Sequence, residues 1–191
     1  ITDYLCGLEF RISPASFYQV NPLQTEILYG KVKEFACLTG KETVLDAYCG
    51  TGTIGLTLAD CAKQVIGVES NPQAVEDALA NAARNHIENA GFICRDAGQF
   101  LEEAAKHREK VDVVITDPPR AGCSKQFLQS LLALAPKRVV YVSCNPETLA
   151  RDLFALSKGG YRVKKIQPVD MFPHTNHVEC VVCLTRSDKA T

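Results

Sequence analysis

Asp46-Ala-Tyr-Cys-Gly-Thr-Gly-Thr-Ile-Gly55 sets glycines at positions 50, 52 and 55 in a G-x-G-x-x-G pattern. Alone the pattern is weak. Here the apolar run Thr43–Asp46 precedes it, a helical stretch follows, and Glu69 closes the next strand candidate nineteen residues beyond Gly50. That context makes it the first strand–loop–helix–strand unit of a parallel sheet. Glycines let the main chain approach a ligand closely, and a carboxylate at the second strand's tip accepts both hydroxyls of a ribose.

Working outward, short apolar runs alternate with helical patterns from residue 43 onward. The strand candidates after Thr43–Asp46 are Gln64–Glu69, Gly91–Cys94, Val111–Thr116, Arg138–Ser143, Tyr161–Val169 and Val178–Thr185. The β-branched runs VVIT (113–116) and VVYV (139–142) suit strands covered on both faces. Asn71-Pro72 and Asn145-Pro146 each offer a cap followed by proline at the first helical position. Behind them Val75, Ala78, Leu79 and Ala82, and then Leu149, Leu153 and Leu156, form apolar stripes. The alternation predicts a doubly wound α/β sheet. Only MFPHTNH (171–177) separates the last two strand candidates, too little for a crossover helix, so they pair as an antiparallel hairpin. Residues 1–40, which contain FRISPASFYQVNP (10–22) and a helical stretch, read as an N-terminal extension packed on a domain of residues 41–191.

The 191 residues carry 21 basic and 22 acidic side chains, with 46% hydrophobic content. This composition excludes a disordered chain and a strongly basic body that grips nucleic acid by bulk charge. No apolar run reaches the length of a membrane span. Ile1 opens the chain without an initiator methionine or a signal segment, as in a fragment of a longer protein. The nine cysteines are odd in number and scattered, which fits reduced thiols in the cytoplasm better than a disulfide framework. Cys180 and Cys183, the one C-x-x-C, lie three apart on a strand and so on opposite faces, a poor metal or redox site. His174 and His177 lack further ligands at metal spacing and are read as loop or substrate contacts, so no metal is assigned.

Ligands of open α/β sheets bind at the carboxyl ends of the strands. Asp46, Tyr48, Asp96 and Asp117 all fall there, beside Glu69. Four acids around one crevice favour the sulfonium of S-adenosylmethionine over the pyrophosphate of a dinucleotide. A turn Asp117-Pro118-Pro119-Arg120 leaves the fourth strand. Amino-group methyltransferases carry a related turn ending in an aromatic residue, whereas Arg120 cannot clamp a base edge in that way.

Cys144 stands just ahead of the capped helix at Asn145, where the positive end of the dipole is expected to lower the thiol pKa. The antiparallel hairpin delivers His177-Val178-Glu179 to the same sheet edge. A thiolate and a carboxylate beside a methyl donor suit methylation at carbon 5 of uracil. Addition of sulfur at carbon 6 makes carbon 5 nucleophilic, and a base then removes its proton so that the sulfur leaves. The target base must leave its stack to reach such a site. A nitrogen methyltransferase of adenine or guanine and a nucleotide-binding module without catalysis are the rival readings.

DAYCGTGTIGL (46–56), DPPRAG (117–122), SCNPETLARDL (143–153), HVE (177–179) and FYQVN (17–21) together resemble the catalytic domain of the RNA (uracil-5-)-methyltransferase family across nearly the whole chain. The resemblance implies a Rossmann-like class I S-adenosylmethionine-dependent methyltransferase. Its sheet would be mostly parallel and seven-stranded, with an antiparallel C-terminal strand. It implies Cys144 as nucleophile and Glu179 as proton acceptor. Gln19, Tyr48, Glu69, Asp96 and Asp117 match cofactor-contacting positions. Gly50 belongs to the glycine loop beside them, and Thr53 stands where relatives often have asparagine. The implied products are 5-methyluridine in RNA and S-adenosylhomocysteine. Complete members carry an N-terminal RNA-binding β-barrel and a central domain, some with an iron–sulfur cluster, and neither is present here. The pattern sits nearer the ribosomal-RNA enzymes, of the 23S type, than the transfer-RNA ones.

Overall fold

The strand that centres the molecule, Val113–Thr116 (β6), is buried at every position, as a strand covered on both faces by helices must be. The structure, a computed structural model, describes residues 1–13, 18–19 and 21–187. Phe17 and Val20 of the FYQVN stretch, and residues 188–191 at the end of the expected domain, lie outside the described residues.

In chain order the elements are β1 (Thr2–Leu5), β2 (Leu8–Arg11), α1 (Pro22–Ala36), β3 (Thr43–Ala47), α2 (Thr53–Leu58), β4 (Gln64–Glu69), α3 (Pro72–Arg84), β5 (Ala90–Cys94), α4 (Ala97–Lys106), β6, α5 (Lys125–Leu134), β7 (Arg138–Ser143), α6 (Pro146–Lys158), β8 (Tyr161–Val169) and β9 (Glu179–Arg186). β1 and β2 form a two-stranded sheet, and the other seven strands run in the order β5-β4-β3-β6-β7-β9-β8. β3 to β7 are parallel, whereas β9 runs antiparallel to both β7 and β8. The expected seven-stranded sheet and its antiparallel last strand are both present.

Side-chain parity divides the core. Along β7, Val140 and Val142 join the cluster containing Leu28, Val32 and Phe35 of α1. Val139 and Tyr141 point the other way, toward Leu101, Phe127 and Leu156 of α4, α5 and α6. Cys183 packs in the first cluster and Cys180 against the second, on opposite faces as their spacing requires. No helix among the described residues is long and apolar enough to cross a membrane.

Two local readings need correction. The N-terminal stretch holds the hairpin β1–β2, which sequence patterning does not reveal. Its strands are only four residues long, and its turn places Cys6 (φ 52°) and Gly7 (φ 79°) in the left-handed region, where Asn-Gly is the usual signal. Leu79, expected in the apolar stripe of α3, is 48% exposed, while Asp77 and Asn81 on the same helix are buried. The hairpin explains this, because α3 meets it with polar side chains. Asn81 Oδ1 accepts from Arg11 N at 2.7 Å and Asn85 Oδ1 from Glu9 N at 2.9 Å, and both amides donate back to the same residues' carbonyls. Two asparagines one helical turn apart thus act as a neighbouring strand for the edge of β2.

Candidate active site

The glycine loop begins where β3 ends. Asp46 is wholly buried beneath it and accepts from Gly55 N through Oδ2 at 2.8 Å, while Oδ1 has no partner. Burial pushes this carboxyl up to about 7, reinforced by Glu69 and opposed by the Gly55 N–H. Gly52 caps α2 at φ 80° with Phe92 so close that a Cβ would sit 2.8 Å from the ring, so this position requires glycine on two counts. Glu69, at the tip of β4, accepts from Gly50 N at 3.1 Å through Oε2 and from Asn71 N at 2.8 Å through Oε1. Its carboxylate is thereby fixed at the edge of the loop.

A cavity of about 540 Å³ opens along the carboxyl ends of the parallel strands. Gln19, Tyr48, Gly50 and Glu69 line one end of it, and Asp117, Arg120, Cys144 and Glu179 the other. The sheet register explains the second group. Ser143 of β7 pairs with Cys180 of β9, so one further step sets Cys144 opposite Glu179. Glu179, only 5% exposed, closes the buried side of the cavity.

The electrostatics of that end differ from the expectation for a cysteine before a helix. The half-buried Cys144 thiol is shifted up, by burial first and then by the charges of Glu179 and Asp117, and Arg120 opposes the shift. Asn145, not Cys144, is the cap residue, and the charges of two acids lining the same cavity act on the sulfur. Asp117 is pushed up to about 8 by burial, with Glu179 and Asp46 adding to it. Glu179 is raised by burial and held back by Arg120. Arg120 is therefore the cation that balances this acidic end. Its Nη2 also lies 3.3 Å from Nδ1 of His177, whose ring meets Phe172 edge-on. The sequence shows Arg120 only as a residue unable to clamp a base edge. Its proximity to the sulfur depends on how the turn after β6 folds back, which no spacing reveals.

Two of the expected cofactor positions stand apart from the large cavity. Thr53 faces an adjoining pocket of about 50 Å³, and its hydroxyl bonds that of Tyr29 at 2.8 Å. Asp96 is exposed and caps α4 by accepting from Gln99 N at 2.9 Å. It follows β5, the edge strand, and therefore reaches the crevice's margin rather than its interior. Asp46, counted from sequence among the acids of the crevice, lies under the loop instead. Among the described residues, no group of three or more His, Cys, Asp or Glu could hold a metal ion.

The sheet order with its antiparallel β9, the glycine loop after β3 and the acid ending β4 define a class I S-adenosylmethionine-dependent methyltransferase fold. A family model described as tRNA (uracil-5-)-methyltransferase matches residues 7–187, and the chain belongs to that family. An uncharacterized RNA methyltransferase of Enterococcus faecalis is 55% identical over 187 residues, covering 98% of this chain and 41% of the relative. One from Bacillus cereus is 53% identical over 189 residues, with 99% and 41% covered. The chain thus spans about 41% of the length of these curated relatives. Among solved structures, the Pyrococcus abyssi tRNA (uracil-54, C5)-methyltransferase in complex with S-adenosyl-L-homocysteine superposes with a TM-score of 0.83 at 39% identity. The match covers 97% of this chain and 44% of that one. A putative S-adenosylmethionine-dependent methyltransferase from Streptococcus mutans shares the fold at a TM-score of 0.76 and 13% identity, with 97% of this chain and 55% of that one covered.

Proposed function

We propose that this chain is the catalytic part of an enzyme that methylates carbon 5 of a uridine in RNA through a covalent bond between Cys144 and the base. The observation that carries the reading is the meeting of Cys144 and Glu179 in one cavity whose other end presents Glu69 and the glycine loop. That end suits S-adenosylmethionine by its donor set. Glu69 offers a carboxylate for ribose hydroxyls, Gln19 and Tyr48 flank it, and Asp117, which follows the central strand and also lines the adjoining pocket with Gln19 and Tyr48, offers an acid that would suit a sulfonium between the two ends. The cation of the lining, Arg120, stands at the far end, so nothing beside the loop neutralises a pyrophosphate. When bound, S-adenosylmethionine supplies an electrophilic methyl group and leaves as S-adenosylhomocysteine.

The chain's own residues then act on the uracil ring. Cys144 Sγ, as thiolate, forms a bond to carbon 6, and the electron pair of the 5,6 double bond moves toward oxygen 4. Arg120 faces the charge that develops. Carbon 5 takes the methyl group, and Glu179 removes the proton left on carbon 5. The double bond re-forms and the carbon–sulfur bond breaks, returning the cysteine. Asp117, which burial holds toward its neutral form, ionises more readily beside a cation. Residues 1–40 serve as a cover that contributes Gln19, and residues 41–191 carry the chemistry. Domains outside this chain select the RNA, in the cytoplasm.

Ribosomal RNA is the first substrate by the pattern of motifs. Transfer RNA is the second, supported by the likeness to the Pyrococcus abyssi tRNA (uracil-54, C5)-methyltransferase. The test is incubation with RNA carrying 5-fluorouridine, whose fluorine cannot leave as a proton. The expected result is a stable protein–RNA adduct that is lost in Cys144→Ala. Methyl transfer without an adduct would overturn the covalent reading in favour of nitrogen methylation, and running ribosomal and transfer RNA in parallel decides between the substrates.

A further inference from the structure

The segment after β6 turns back at Gly122, which has φ 76° and donates its N–H to Pro119 O at 2.8 Å. Helix α6 grips this turn. Asn145 Nδ2 and Thr148 Oγ1 both donate to Arg120 O at 3.2 Å. Arg151 Nη2 donates to Ala121 O at 2.9 Å and to Cys123 O at 3.2 Å, and Asp152 Oδ2 accepts from Cys123 N at 2.8 Å. The Asp152 carboxylate is fully buried and fully used. Oδ2 also accepts from the Tyr141 hydroxyl of β7 at 2.7 Å, and Oδ1 accepts from Arg151 Nε at 2.8 Å. A Cβ at Gly122 would lie 2.6 Å from Arg151 Nη2 and 2.7 Å from Asp152 Oδ2, so the turn sits as near the helix as glycine allows. The proposed chemistry leaves this network unused.

Only the cap residue Asn145 separates Cys144 from α6, and the same capped helix holds the main chain of Arg120, Ala121 and Cys123. One rigid element therefore sets the cation relative to the sulfur. We infer that Asp152, acting with Arg151 on the 120–123 main chain, is the positioning residue that holds the Arg120 guanidinium against Cys144 and Glu179. The inference rests on the reading of Cys144 as nucleophile. A long side chain on an unanchored turn spreads its charge over several rotamers. Anchoring the turn confines that charge to the cavity, and a displacement of about 1 Å at such a group costs on the order of 10²-fold in rate.

The test measures alkylation of Cys144 by iodoacetamide against pH, site-mapped by mass spectrometry, in the full chain without RNA. It compares wild type, Arg120→Ala, Asp152→Asn, Arg151→Met and the double variant Asp152→Asn/Arg120→Ala. Arg120→Ala is expected to raise the alkylation midpoint by about half a unit to one unit, since it removes a nearby cation. Asp152→Asn and Arg151→Met should give the same shift, and the double variant should add nothing to Arg120→Ala. Turnover on RNA should fall about 10²-fold in Asp152→Asn, with KM changed less than about twofold. A wild-type profile in Asp152→Asn or in Arg120→Ala overturns the inference, as do additive shifts in the double variant. Should Asp152→Asn fail to fold, Arg151→Met decides the question, because Arg151 is an exposed side chain. Absence of the 5-fluorouridine adduct in wild type would instead defeat the catalytic reading, and the alkylation profiles would still judge the positioning of Arg120.

Discussion

Replacing Glu179 with glutamine removes one negative charge and one proton acceptor from the cavity while nearly preserving shape. The two losses pull in opposite directions. Continuing the β7–β9 register places Cys144 opposite Glu179, so the sulfur and the carboxylate are separated by roughly 6 Å, a little beyond the spacing of cross-strand side chains. At an effective dielectric of about 20, two charges at that distance interact by about 3 kcal/mol. The thiol is half-exposed and Arg120 already opposes the acid, which reduces the effect to about 1 kcal/mol, or about fivefold in thiolate at a given pH. Glu179→Gln should therefore be alkylated at Cys144 about fivefold faster than wild type below neutral pH. Loss of a general base costs on the order of 10²- to 10⁴-fold. Turnover should fall by that factor after a single round, leaving methylated RNA attached to the protein. The assay is a denaturing gel of enzyme with labelled RNA, alongside the alkylation rate. Multiple turnover near the wild-type rate would refute the role of Glu179. Slower alkylation in a folded variant would refute the charge argument.

Further outcomes follow from other parts of the structure. Asp46, raised from 3.8 to about 7, holds a proton in the folded chain that the unfolded chain releases. Its contribution to stability is complete below about pH 4 and is lost as pH rises to about 7, a swing of about 4 kcal/mol. Asp46→Asn should flatten the decline in urea-unfolding free energy between pH 5 and pH 8, and an unchanged slope would contradict the assignment. Gly67→Ala would put a Cβ 2.9 Å from Cys49 Sγ and closer still to Phe92, whose ring is also trapped against Gly52. It should cost about 3 kcal/mol in urea unfolding, and wild-type stability would show that the ring has room to move. Glu69→Gln loses a charged acceptor and should weaken S-adenosylhomocysteine binding by about 2 kcal/mol, or about 30-fold, in calorimetry. Equal affinity would remove Glu69 from the ribose.

The order of strands and helices, the glycine loop and the direction of β9 were legible in the sequence because each has a local cause. Alternating apolar runs mark the covered strands, Asn-Pro pairs mark helix starts, and the short connection after Val169 leaves no room for a crossover. The hairpin β1–β2 was not legible, since its second partner is a pair of asparagine side chains seventy and more residues away. Nor could sequence rank the acids. Asp46, Asp96 and Asp117 all end or follow parallel strands, yet one lies under the loop, one caps a helix and one lines the cavity. That outcome depends on side-chain parity and on each strand's place in the sheet. The clearest reversal is at Cys144. Its position before a helix argues for a lowered thiol pKa, while the β7–β9 register and the grip of α6 on residues 120–123 surround the sulfur with two acids and one arginine. Local chemistry follows from neighbours in the chain, but the charge state of a site follows from neighbours in space, and those are set only when the sheet closes.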